Sequence, residues 1–391
     1  MNGTSPAITN STGTSSIIVS GTSTLAGSVT TSSTQLYTGN VTLGAATTLT
    51  LNATGTITNN GSGALFFTGS FSNAGTAAKT FTLNGTNTGA NEFQGALVDS
   101  TGGILSFVKT GLGAWTLSGT SSFTGALSVN QGTLTLTSLG ASGVSSAAGA
   151  GSVINLGSGT TVAGSLIYTG GAVTTDRAIN LAATTAGAAT LNSSGSGALI
   201  FTGVISNAGT GTKTLTLGGS YTGDNEVQSA ITNGSGTLAL AKVDAGTWIL
   251  SGANTYSGIT TVNGGTLKLT GSGSIAPSST LTINAGTFDV GGTAATVSGA
   301  LTLGGATTTV AGQTASLISS TSGGSFTLGG NVTYNAGTAG FENGQAVISA
   351  NLVLNADRSI VVNDSPNAAV DVLVSGVISG GFGLAKGNGG T

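Results

Sequence analysis

Chemistry needs ionisable or nucleophilic side chains held together, and this chain of 391 residues offers few. It has 11 acidic residues, 8 basic ones, and neither His nor Cys. Without His, a Ser–His–Asp triad on a G-x-S-x-G elbow cannot form. Without His or Cys, zinc and iron–sulfur sites lose their usual ligands. No catalytic, cofactor-binding or metal-binding residue is therefore assigned. No cofactor is expected, and the chain is expected not to be an enzyme.

The remaining candidates are few enough to take singly. Glu92 and Glu226 are the only Glu before Glu342, each in an Asn-Glu-x-Gln context. A glycosidase pair needs its carboxylates about 5–10 Å apart. Lying a full module apart in equivalent places, these two cannot share a site, and both are expected to serve turns or loops. Asp176-Arg177 and Asp357-Arg358 each precede an apolar strand, and are expected to form local ion pairs or charge-assisted hydrogen bonds at turns. Trp115 and Trp248 could stack on sugars. Each shares a strand face with a Leu at the next inward position (Leu117, Leu250), so both are expected in the core, with Phe123 and Tyr256 packing between rungs. Asp289, Asp364 and Asp371 lack the Gly-Gly-x-Gly-x-Asp array of calcium β-rolls. Turns such as Ser379-Gly380-Gly381 lack the Lys-Ser/Thr ending of a phosphate loop.

The elements that would position these residues show up as repeats. From Ser62 the chain reads SGALFFTGSFSNAGTAAKTFTL, and from Ser196 SGALIFTGVISNAGTGTKTLTL. The match continues through Asn91-Glu92-Phe93-Gln94 and Asn225-Glu226-Val227-Gln228. After a one-residue deletion it reaches Trp115-Thr116-Leu117-Ser118-Gly119 and Trp248-Ile249-Leu250-Ser251-Gly252. A third copy starts near Asp357-Arg358, passes Gly376-Val377-Ile378-Ser379 and is expected to be cut at Gly390-Thr391, before its Trp. A finer period lies inside the modules, where Asn263-Gly264-Gly265-Thr266-Leu267 recurs as Asn284-Ala285-Gly286-Thr287-Phe288. A unit of about 20 residues is one turn of a parallel β-helix.

Local patterns agree. Thr133-Leu134-Thr135-Leu136 and Thr280-Leu281-Thr282-Ile283 alternate strictly, as a strand with one buried face does. Gly and Asn at the junctions tolerate the left-handed backbone that corners require. Charged residues are 5% of the chain, far below the usual quarter or so. Stacking explains this, since a charge repeated at one register position would meet its copy about 4.8 Å away. With a net charge of −3 there is no electrostatic footprint for nucleic acid. No apolar run approaches the roughly 18 residues of a membrane span. The N-terminus lacks a secretory signal, as expected of a processed chain or an excerpt.

The segment Gly246-Thr247-Trp248-Ile249-Leu250-Ser251-Gly252-Ala253-Asn254-Thr255-Tyr256-Ser257-Gly258, followed by Thr260-Thr261-Val262-Asn263-Gly264-Gly265-Thr266-Leu267, resembles the autotransporter-associated β-strand repeat (passenger-associated transport repeat). The copy from Gly113 to Leu136 departs from it at Ser121-Ser122-Phe123. The resemblance implies an extracellular location on a Gram-negative-type cell and a right-handed β-helical passenger. The expected fold is all-β, a single elongated right-handed parallel β-helix (β-solenoid) of about 20 residues per turn. Residues 1–36 are expected to form cap or linker turns, 37–136 a first module, 137–269 a second, and 270–391 connecting turns with the truncated third. The expected function is a structural surface or matrix stalk. An adhesin binding glycans or cell surfaces is the alternative, and a polysaccharide-acting enzyme the third reading. End-to-end or lateral self-association is expected, with fraying or stacking near Gly380–Thr391.

Overall fold

The computed structural model describes residues 55–363, apart from 74, 159–163, 184–186, 276–279, 305–315 and 336–344. It also describes residues 371–387 and the short strands lying between residues 8 and 51. Every regular element among them is a β-strand, and every strand pair is parallel. Two compact units divide the chain, residues 1–197 and 198–391.

In the first unit the chain visits its sheets in rotation. One sheet stacks Gly55–Asn59, Lys79–Gly85, Leu105–Lys109, Leu127–Val129, Val153–Leu156 and Ala178–Leu181. A second stacks Phe66–Phe67, Glu92–Phe93, Ala114–Leu117, Gly132–Leu136, Gly164–Tyr168 and Gly187–Ser193. Neighbours within a sheet come from successive coils, which is the topology of a parallel β-helix. The second unit repeats the plan. Its long sheet runs from Thr212–Gly218 through Thr237–Lys242, Thr260–Val262, Leu281–Ile283, Leu301–Leu303 and Val332–Tyr334 to Arg358–Val362. Alongside it stand Leu199–Phe201, Asp224–Val227, Thr247–Leu250, Thr266–Leu269 and Thr287–Asp289.

Alternation makes the core. In Gly132–Leu136 the side chains of Leu134 and Leu136 are buried and Thr135 is half-exposed. Such burial contributes about 1.5–3 kcal/mol per large side chain. The first unit fills its interior with rings: Phe71 lies 4.4 Å from Phe81, Phe81 5.5 Å from Phe93, and Phe67 6.0 Å from Trp115. In the second unit Leu215, Val227 and Leu240 replace Phe81, Phe93 and Phe107 at equivalent positions, all buried.

The short spacing expected from the sequence holds where the motifs sit. Trp115 pairs with Leu134, Trp248 with Leu267, and Leu267 with Phe288. Elsewhere coils are longer, for Phe81 pairs with Phe107 and Leu134 with Leu166. The extra residues enter between strands, so each coil keeps its register while its corners grow.

Candidate functional site

The residues shared by the two modules converge on a corner. Lys109 closes the strand Leu105–Lys109, whose Leu105 and Phe107 also point inward. Its Nζ donates to the carbonyls of Thr110, Gly111 and Gln131 at 2.7, 2.8 and 3.1 Å. Lys242 repeats the arrangement on Val243, Asp244 and Gly264, the last two at 3.0 and 3.1 Å. Both lysines have no exposed surface. The carbonyls turn inward because Gly111, Gly132, Asp244 and Gly265 take positive φ of 71, 70, 57 and 60°. Desolvation holds each ammonium down at about 8, and nearby Asp244 partly offsets the effect on Lys242. At neutral pH each ammonium is charged and its three protons meet three carbonyls.

The tryptophan of each module is buried, as expected of core residues. Trp115 and Trp248 are 2% and 0% exposed. Their indole Nε1 groups donate to Asn84 O and Gly218 O, the latter at 2.9 Å. Phe123 and Tyr256 are buried too, and the Tyr256 hydroxyl pairs with Thr260 Oγ1 at 2.8 Å. Where the two copies differ in sequence, the work is the same. Ser121 Oγ accepts from the Leu97 amide, and Asn254 Oδ1 accepts from the equivalent Ile231 amide.

Glu92 and Glu226 lie on the strands Glu92–Phe93 and Asp224–Val227, which corrects the expectation of turns. Asn225 faces inward, accepting from the Leu199 amide and donating to Thr247 O. Glu226 and Gln228 face outward, joined at 2.9 Å, and Ser251 from the next coil donates to Glu226. In the first unit Glu92, Gln94 and Ser118 form the same triangle. Alternation decides this: Asn sits on the buried face, Glu and Gln on the open one.

Of the two alternatives expected for Asp176-Arg177, Arg177 makes charge-assisted hydrogen bonds, and it makes them fully buried. Its guanidinium donates to Gly140 O, Ala148 O and Gly149 O at 2.9, 3.2 and 2.7 Å. It thereby gathers the excursion between Leu139 and Ala150, while exposed Asp176 accepts from the Ser142 amide. Burial lowers the Arg177 pKa, and Asp176 opposes the shift. At the second Asp-Arg pair, Asp357 accepts from the Gly383 amide and Arg358 donates to Leu328 O and Asn355 Oδ1. Asp289 accepts from the Gly291 and Thr321 amides and the Thr321 hydroxyl, with Lys268 at 3.9 Å. Asp371 is buried, and Asp364 lies outside the described residues. Among the described residues no three acidic side chains gather into a metal site.

The outer face of the long sheet in the second unit is chemically uniform. Thr216, Ala241, Thr261, Thr282, Thr302, Thr333 and Val361 occupy one register column. No member is charged. The sheet beside it carries Asp224, Glu226 and Lys268 on its outer positions.

Residues 107–136 and 240–269 match the passenger-associated-transport-repeat family model. The chain carries two passenger-associated-transport repeats. Each matched repeat spans the inward lysine, the glycine corner, the Trp strand and the following N-x-G-T-L turn. An autotransporter adhesin of Brucella suis biovar 1 (strain 1330), named BmaC, is 44% identical over 108 residues. That stretch is 27% of this chain and 3% of the adhesin, so the chain corresponds to a small part of that protein. No solved structure matches. The repeats and the adhesin relative indicate display at the outer surface of a Gram-negative bacterium. Among the described residues no helix is long and apolar enough to cross a membrane.

Sequence reasoning missed the buried lysines of these repeats. The signal was present: in Leu105-Ser106-Phe107-Val108-Lys109 and Leu238-Ala239-Leu240-Ala241-Lys242 the lysine continues the apolar phase. Lys213 is a third case, donating from the core to Asn207 Oδ1 and Thr210 O, with its pKa lowered by burial.

Proposed function

We propose that this chain is a structural segment of a surface-displayed passenger, a stacked β-helical spacer that holds other parts of its parent protein away from the cell. One observation carries the proposal. The side chains that the two modules share (Trp115 and Trp248, Lys109 and Lys242, Asn91 and Asn225) are turned inward and hold coil to coil. What the repeat preserves is the stack. Stability in such arrays is a sum over neighbouring units, which suits a spacer that is lengthened by adding coils. Glu92 and Glu226 are bound into Gln–Ser triangles in their own units, and no catalytic role is proposed for them.

A second reading is adhesion, favoured by the adhesin relative and by the uncharged column from Thr216 to Val361. A face of hydroxyls and methyls without charge meets glycans, neighbouring cell surfaces or a second copy laterally without desolvating ions. One experiment separates the readings. The chain is exposed to proteinase K and, in parallel, to glycan arrays and whole cells. The spacer reading expects the Trp-bearing coils, residues 79–136 and 212–269, to resist cleavage, and no saturable binding. Saturable binding lost in Thr282→Asp, with the melting temperature kept, assigns adhesion to that face. Rapid cleavage inside the Trp-bearing coils would refute the spacer.

A further inference from the structure

Half of the chain's cations lie in the core. Of 8 Lys and Arg, Lys109, Arg177, Lys213 and Lys242 are at most 2% exposed. A buried ammonium is a poor way to gain stability. Its desolvation offsets most of what its partners return, and an apolar residue of similar volume often does as well or better. Two equivalent lysines, held identically in two modules, therefore need another explanation.

The strands around them have an ambiguity that apolar patterning cannot resolve. Sliding one coil by a single residue against the next turns its apolar face outward, which burial forbids. Sliding it by two keeps every inward residue inward. Phe107 and Lys109 face Leu127 and Val129, and a two-residue slide that sets Leu105 and Phe107 against Leu127 and Val129 would still pair apolar with apolar. The lysine distinguishes these states. Two of its protons are met within its own corner, by Thr110 O and Gly111 O, or by Val243 O and Asp244 O. The third reaches the following coil, at Gln131 O or Gly264 O. That carbonyl points inward only at the N-x-G-T-L corner, where Gly132 and Gly265 take positive φ. Slid by two residues, a coil takes its corner roughly 6.6 Å away and strands a buried N–H of a charged group.

We propose that Lys109 and Lys242 are register pins, which fix the two-residue phase between the strand they close and the coil that follows. They select one pairing among patterns of near-equal burial, and they do so without adding net stability. This is a conformational device built into each repeat, independent of whether the outer face adheres to anything.

Cysteine pairs test the proposal directly, because the chain has no Cys of its own. Val108 is paired with Ser128 on the outer face. A disulfide between V108C and S128C reports the native phase, and V108C with A126C or N130C reports a slide of two in either direction. The pairs are oxidised after refolding the full chain, with Lys109 retained or in a Lys109→Met background, and quantified by mass spectrometry. With Lys109 retained, only the native pair should close. With Lys109→Met, the denaturant midpoint should hold or rise, and closure of the slid pairs should rise at least about tenfold, the change given by about 1.4 kcal/mol of register preference. Ala241 with Thr261, against Ile259 or Asn263, gives the same readout for Lys242→Met. Native-only closure in the Met backgrounds would overturn the proposal. So would Met variants that no longer fold, since that outcome makes the ammonium a net stabiliser.

Discussion

Asp244 holds a left-handed backbone, φ 57°, at the position where the first unit has Gly111. Asp is among the few side chains that accept this region, and here its carboxylate accepts from the Gly219 amide at 2.9 Å. The first unit solves the same corner from the other coil. Asn84 supplies the polar side chain there, and its equivalent in the second unit is Gly218. A Cβ on Gly111 would collide with Asn84 Oδ1 and Gly85 O. Gly111→Asp should therefore destabilise the first unit by about 1–3 kcal/mol. Asn84→Gly with Gly111→Asp should recover part of the loss, a coupling of about 0.5–3 kcal/mol in a double-mutant cycle read by urea unfolding. Additive losses would show that the two residues do not share the corner. The tryptophans give a simpler test. Each is a fully buried core side chain, so Trp248→Ala should cost about 3–5 kcal/mol. The remaining Trp115 should keep a blue-shifted emission that iodide does not quench, and strong quenching would place it at the surface.

At the scale of the coil, the buried lysines make a pH signature. Burial lowers the pKa of Lys109 and of Lys242 from 10.5 to about 8. Between those values the unfolded chain binds more protons than the folded one, so stability rises with pH. The gain is present above 10.5 and is lost as pH falls through 8. Between pH 8 and about 9.5, below the tyrosine range, the urea midpoint should climb, and the climb should shrink in Lys109→Met with Lys242→Met. A midpoint flat over that window in the parent chain would show that the carbonyl cradle cancels the desolvation. The coil was largely legible in sequence. The alternation of Thr133–Leu136 and the match at Trp115 and Trp248 give strands, inward faces and parallel stacking. The coil length was less so, because residues added between strands, as from Leu136 to Val153, have no period to betray them. The burial of Arg177, at a turn where charge-assisted hydrogen bonds were expected, was hidden for a related reason. Its partners are backbone carbonyls of an irregular excursion, and carbonyls leave no trace in residue types.

Across the whole molecule, the scarcity of charge follows from stacking, and the second unit shows how. Among the described residues its accessible strand charges include Asp224, Glu226, Lys268 and Arg358, while the column through Thr261, Thr282 and Thr302 carries none. In that column each side chain meets its neighbours about 4.8 Å above and below. Two like charges at that distance repel by roughly 0.9 kcal/mol in water and by more beside low-dielectric protein. A single Asp there has no like neighbour, but three in succession have two such contacts. Thr261→Asp, Thr282→Asp and Thr302→Asp should each be tolerated alone. The triple variant should lose about 2 kcal/mol or more beyond the sum of the singles, by the same Coulomb estimate. Salt near 1 M shortens the screening length to about 3 Å and should restore most of that excess. Replacing only the middle Asp with Lys should restore it without salt, since alternating signs attract across a ladder. Urea unfolding of the five variants at low and high salt decides the matter. Additive losses insensitive to salt would mean that Thr fills this column for its β-branched shape, and that charge was never the reason for its absence.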